Sequence, residues 1–175
     1  MARMKKHPFI DIDFNSTVSL TSTEKRLLSQ WLYLSCDVIK YLISKQIISL
    51  KKNTRIHISL LICGDKKIRA LNKDFRNKDK VTDVLSFPHY DSLRFSPSFE
   101  TEIILGDLAI CLPQAKRQSK KFKIHFMDEF IHLFFHGVIH LMGFDHEISL
   151  KEEKIMEAWE EVALKKFGDL KRKSS

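Results

Sequence analysis

Arg55-Ile-His-Ile-Ser-Leu-Leu-Ile-Cys63 alternates apolar with polar residues at first and then becomes continuously apolar. Alternation marks a strand with one covered face and an unbroken apolar run marks one covered on both, so this segment predicts a central strand. Glu102-Ile-Ile-Leu-Gly-Asp-Leu-Ala-Ile-Cys111 reads as another strand, in which Gly106 predicts a bulge or a close backbone approach. Val84-Leu-Ser-Phe-Pro88 and Phe9-Ile-Asp-Ile-Asp-Phe14 are shorter, the latter with Asp11 and Asp13 on one solvated face.

Helices are expected between and after these strands. Thr21-Ser-Thr-Glu24 has the form of a capping box, and Leu27, Leu28, Trp31, Leu32, Val38, Ile39, Leu42 and Ile43 follow at helical spacing. Gly64-Asp65 predicts a turn and helix cap, from which Ile68, Leu71, Asn72 and Phe75 carry a short helix into the charged loop Arg76-Asn-Lys-Asp-Lys-Val-Thr-Asp83. Residues 89 to 101 keep neither period and contain a proline, the mark of an irregular surface loop that could line a site entrance. Pro113 starts a helix whose continuation to Lys123 is basic, an apolar helix begins near His125, and an amphipathic one runs from Leu150 to about Phe167 through Ile155, Trp159, Val162 and Ala163. The expected fold is α+β (α/β mixed): a single domain over residues 1–175, with one mixed, mostly parallel sheet of about four strands packed against about five to six helices. The tail from about residue 168 to 175 is expected to fray.

With 30 Lys plus Arg against 22 Asp plus Glu, the net charge is +8, which favours a polyanionic partner. RNA suits this better than a membrane, because no apolar run reaches the roughly 18 residues of a spanning helix. Met-Ala-Arg-Met-Lys-Lys at the N-terminus is not followed by a signal-peptide core, so a cytoplasmic location is expected. Cys36, Cys63 and Cys111 are scattered, with no Cys-x-x-Cys pair, and read as small core residues rather than a disulfide scaffold or zinc site. No nucleotide cofactor is expected.

The chemistry concentrates in His136-Gly-Val-Ile-His-Leu-Met-Gly-Phe-Asp-His146. On a helix His136 and His140 are separated by about 40° of rotation and roughly 6 Å of rise, so one cation can touch both rings. Gly143 predicts a left-handed helix terminus that turns the chain and swings His146 back toward the same cation. Three neutral imidazoles plus water suit catalytic zinc, here one Zn2+ per chain on a helix and the turn after it. The ligand spacing is that of metzincin peptidases, whose second position holds the glutamate that activates water. Here that position is Gly137, which removes the peptidase base. His132 and Glu129 continue the helical stripe backwards, and Asp145 adjoins His146; each is a candidate to orient a ligand imidazole, beside blander roles as packed or turn-capping residues.

Three blocks together resemble the YbeY family of zinc-dependent bacterial endoribonucleases. One is His136 to His146, where Phe144 stands in place of the usual tyrosine. The second runs from Leu71 through Asn72, Phe75-Arg76-Asn-Lys-Asp-Lys80 and Thr82-Asp83-Val-Leu-Ser-Phe-Pro88, with Val81 where proline is common, and the third is Leu105-Gly-Asp-Leu-Ala-Ile-Cys111. The resemblance implies zinc on His136, His140 and His146, Arg76 as the arginine needed for RNA cleavage, and a mixed sheet with surrounding helices. It also implies a single-strand-specific role in ribosomal RNA maturation, at the 16S rRNA 3′ end, and in ribosome quality control, with the ribosome or its proteins as partners. On this reading Arg76 and His136 are catalytic, while Lys78, Lys80, Lys116, Arg117, Lys120 and Lys121 are candidates to track the RNA backbone. The alternatives are a non-catalytic zinc-containing ribosome-assembly factor and, from ligand spacing alone, a metalloprotease.

Overall fold

The computed structural model of the protein describes residues 7–46, 53–90, 101–145 and 149–174. Its elements run β1 (Ile10–Ser16), α1 (Ser22–Gln46), β2 (Arg55–Cys63), α2 (Asp65–Arg76), β3 (Val84–Pro88), β4 (Glu102–Cys111), α3 (Leu112–Phe122), α4 (Phe126–Leu141) and α5 (Leu150–Ser174). The strands form one sheet in the order β1-β2-β4-β3, parallel from β1 through β4 and antiparallel between β4 and β3. This is the mixed, mostly parallel sheet the strand patterns predict, with β2 inside it and five helices around it among the described residues.

Gly106 does what its place in a strand suggests. The β2–β4 register steps from His57 opposite Ile104 to Ile58 opposite Gly106, so Leu105 is the extra residue of a bulge. That step changes the facing parity of the strand: Ile103 and Leu105 before it and Leu108 and Ile110 after it all enter the same core, leaving Ala109 and Cys111 to pack on the other face. The glycine sits at φ 144°, and a Cβ there would meet the Phe87 carbonyl oxygen at 2.3 Å. No other residue fits.

The larger core lies between one sheet face (Ile56, Ile58, Leu60 and Ile62 of β2 among its members) and α1, α4 and α5. Helix α4 runs through its centre, with Phe130, Phe134 and Phe135 fully buried. Truncating any of them to alanine would cost about 3–5 kcal/mol. On the opposite face α2 covers a smaller cluster of Cys63, Ile68, Leu85, Ala109 and Cys111. All three cysteines are buried and free, and burial pushes each thiol pKa up, to about 11 for Cys63 and about 12 for Cys36 and Cys111.

Local signals in the sequence translate into particular bonds. The Thr21 N–H donates to Glu24 Oε2 at 2.8 Å and the Glu24 N–H donates back to Thr21 Oγ1 at 3.1 Å, the reciprocal pattern of a capping box. Gly64 precedes α2 without any side-chain cap, and the Asp65 carboxylate turns away to accept two bonds from Arg117, at 2.7 and 3.0 Å. Helix α5 continues to Ser174, through the segment expected to fray. Phe167 packs edge-on against Trp31 and Phe135, while Lys171 lies over the Trp31 ring at 4.0 Å and pairs with Asp128 at 3.1 Å. These contacts tie down a segment whose basic composition alone suggests a loose end.

Candidate metal centre and active-site cavity

From Glu129 to Met142 every residue of α4 is buried except His132, His136 and His140. Three positions at i, i+4 and i+8 form one stripe, and it is the only line along which this central helix reaches the surface there. The His136 and His140 rings lie with centroids 4.8 Å apart at 80° to each other.

Each of these two rings is held by its Nδ1 atom. His136 Nδ1 is 2.7 Å from Glu160 Oε1 on α5, and His140 Nδ1 is 2.8 Å from the Phe144 carbonyl oxygen. Burial works against ionisation of Glu160, but the contacts from His132 and His136 more than offset it and hold its carboxyl down at about 2. An ionised carboxylate and a carbonyl oxygen can only accept, so Nδ1 is the donor in both contacts, and in a neutral ring this leaves the Nε2 lone pair available as a ligand. A second group fixing tautomer and orientation in this way is the usual support of a metal-binding histidine. Two such nitrogens are donors of the kind zinc takes.

Glu160 is absent from the candidates taken from sequence, yet it is the group that orients His136. Its signal is there in retrospect: Met156, Ala163 and Phe167 are the buried residues of α5, and Glu160 falls on the same stripe at spacing 4, 3 and 4. A carboxylate in a buried stripe needs a partner. The sequence candidates occupy a further layer. His132 Nε2 lies 3.5 Å from Glu160 Oε2, which raises the His132 pKa despite burial, so His132 acts on His136 through Glu160. Glu129 is buried, with its pKa raised by desolvation, and approaches His132 at 4.0 Å.

Helix α4 ends as the glycine predicts. Gly143 takes φ 91°, its N–H donates to the His140 carbonyl at 2.9 Å, and the chain turns so that the Phe144 carbonyl meets His140 and Asp145 lines the same cavity. His146, the expected third ligand, lies outside the described residues, and among those described no group of three His, Cys, Asp or Glu is close enough to hold a metal. Gly137 has a structural reason. A Cβ there would meet Leu108 Cδ2 at 2.7 Å and Ser86 Oγ at 3.3 Å, so the glycine allows α4 to press on the sheet.

The cavity in front of these histidines measures about 600 Å³. Its far wall comes from the end of α2 and from β3: Phe75 and Arg76, then Thr82 to Val84 and Ser86 to Pro88. Arg76 is the last residue of α2, and the turn after it is organised by buried Asn72, whose side-chain amide donates to the Lys80 carbonyl at 2.8 Å. Asn77 takes the left-handed conformation that closes the helix. Thus two blocks about 60 positions apart in the sequence meet across one opening.

The other basic candidates are not among the residues that line it. Lys116 pairs with Glu24 at 2.6 Å and Arg117 with Asp65, so both are engaged in joining α3 to α1 and α2. Lys120 and Lys121 are exposed at the end of α3, and Lys78 and Lys80 are exposed in the loop after Arg76. A larger hollow of about 710 Å³ on the β1–β2 side carries Asp11, Asp13 and Glu102 in its walls, a poor setting for a polyanion. Among the described residues no helix is long and apolar enough to cross a membrane.

Comparison with known proteins places this geometry. Residues 22–168 match the family model described as Endoribonuclease YbeY. The chain is 34% identical over 138 residues to the Endoribonuclease YbeY of Sulfurihydrogenibium sp., covering 78% of this chain and 88% of that protein. To that of Fusobacterium nucleatum it is 32% identical over 162 residues, covering 90% and 94%. Its fold resembles the solution structure of TM1509 from Thermotoga maritima, with a TM-score of 0.61 at 21% identity over 94% of this chain and 93% of that one.

Proposed function

Because the chain belongs to the Endoribonuclease YbeY family, we propose that it is a zinc-dependent endoribonuclease that cleaves single-stranded RNA. The observation that carries this reading is the shared cavity, in which Arg76 faces the paired imidazoles of His136 and His140. A guanidinium presents parallel donors that match two oxygens of a phosphodiester, so Arg76 holds the scissile phosphate. His136 and His140 hold the metal through Nε2, with His146 as third ligand, and Glu160 and the Phe144 carbonyl keep both rings in the ligating tautomer. When bound, zinc supplies positive charge to a phosphoryl oxygen and acidifies water.

Ribosomal RNA, at the 16S 3′ end, is the substrate we infer, in the cytoplasm and alongside ribosomal proteins; the resemblance and the net charge of +8 support this. A peptidase reading finds no support at Gly137, where a glutamate side chain would run into Leu108. The test is Arg76→Ala. It should abolish cleavage of a single-stranded oligoribonucleotide while zinc content and thermal stability stay those of the unsubstituted protein. Unchanged cleavage would remove Arg76 from the mechanism.

A further inference from the structure

Phe75 is out of place as a core residue. The spacing of Ile68, Leu71, Asn72 and Phe75 makes it the fourth member of the stripe that α2 turns to the sheet, and Ile68 and Asn72 are buried accordingly. Yet Phe75 is 66% exposed. The ring reaches the edge strand β3 at Phe87 and becomes part of the cavity wall next to Arg76. Single exposed apolar residues on an outer surface need no explanation. This one borders a polar cavity that also holds two imidazoles and a guanidinium.

The ring is also fixed. Its centroid lies 5.0 Å from that of Phe87 at 67°, and Phe87 is itself half-buried against the cluster under α2. An edge-to-face contact of this kind holds a ring in place without covering it. A steady, open aromatic surface beside a cationic phosphate clamp is the pairing by which proteins grip single strands, with the clamp on the backbone and the ring under a base.

We propose that Phe75, braced by Phe87, is the stacking platform for a base adjoining the phosphate held by Arg76, and that this platform makes the site select single-stranded RNA. The proposal rests on the RNA-cleaving reading above. Bases in a duplex are already stacked on their neighbours and cannot reach the ring. Base–aromatic stacking of about 1–3 kcal/mol corresponds to about 5- to 150-fold in affinity.

The experiment uses the zinc-loaded full chain, Phe75→Leu and Phe75→Tyr, with a labelled single-stranded oligoribonucleotide and versions carrying one abasic residue at each position flanking the cleaved bond. Phe75→Leu, which keeps apolar bulk but not the ring, should raise Kd and KM about 5- to 150-fold with kcat little changed, and Phe75→Tyr should restore both. One abasic position should reproduce the loss, and on that oligonucleotide Phe75→Leu should add nothing further. If the unsubstituted protein cleaves but Phe75→Leu binds every oligonucleotide as well as it does, or loses equally on all abasic versions, the platform is wrong and the nuclease reading stands. If the unsubstituted protein neither binds nor cleaves the oligonucleotide, the nuclease reading falls and the platform falls with it.

Discussion

The Nδ1 atom of His136 lies 2.7 Å from a carboxylate oxygen of Glu160, a residue 24 positions further along the chain and on a different helix. This contact joins α4 to α5 and fixes the ring of the proposed metal ligand. Replacing Glu160 by glutamine keeps a hydrogen-bond acceptor but removes the charge that fixes the imidazole. Zinc affinity, measured by competition with a chromophoric chelator, should fall about 10- to 100-fold, with the fold retained.

Gly137 tests the packing of α4 on the sheet. Gly137→Ala should destabilise the protein by about 1–3 kcal/mol, because Leu108 is buried and cannot move away freely from a Cβ placed 2.7 Å from its methyl group. Urea unfolding measures this directly. Gly137→Glu, which restores the metzincin pattern in sequence, should fail to give a stable protein rather than a peptidase.

Glu24 carries a pH dependence whose sign can be worked out. The Lys116 ammonium and the Thr21 N–H hold its carboxyl below the ordinary glutamate value of 4.5. A lowered folded-state pKa contributes stability that is fully present above about pH 4.5 and is lost as pH falls through the folded value. Glutamine is the suitable replacement because it can still complete the capping box while losing the charge. The thermal midpoint of Glu24→Gln should lie below that of the unsubstituted protein at pH 7, and the gap should close below about pH 4.5. The effect is modest, since Lys116 is 43% exposed and water screens the pair.

Much of the architecture was legible because its signals are local. The Arg55–Cys63 pattern marks an inner strand, Thr21 and Glu24 mark a helix start, and Gly106 marks a bulge, since each depends on neighbours a few residues away. The pairing of His136 with His140 on α4 was legible for the same reason, helical spacing being a short-range rule. Long-range pairings were not. Glu160 reaches His136 only because α4 and α5 pack side by side, and Asp65 leaves its helix cap for Arg117 because β4 carries α3 past the start of α2. Phe75 departs from its pattern differently: periodicity places it on the covered stripe of α2, but its ring meets the edge strand only at the side of Phe87 and stays 66% exposed. Function hides in such departures, because a residue that breaks its local pattern must be held by something further away.

The most direct test of the metal-dependent account is cleavage of a single-stranded oligoribonucleotide by purified protein before and after metal removal, with elemental analysis of the same samples. The account predicts about one zinc per chain, loss of cleavage once chelation strips it, and recovery on adding back one equivalent of zinc. Full cleavage by protein shown to hold no metal would contradict it.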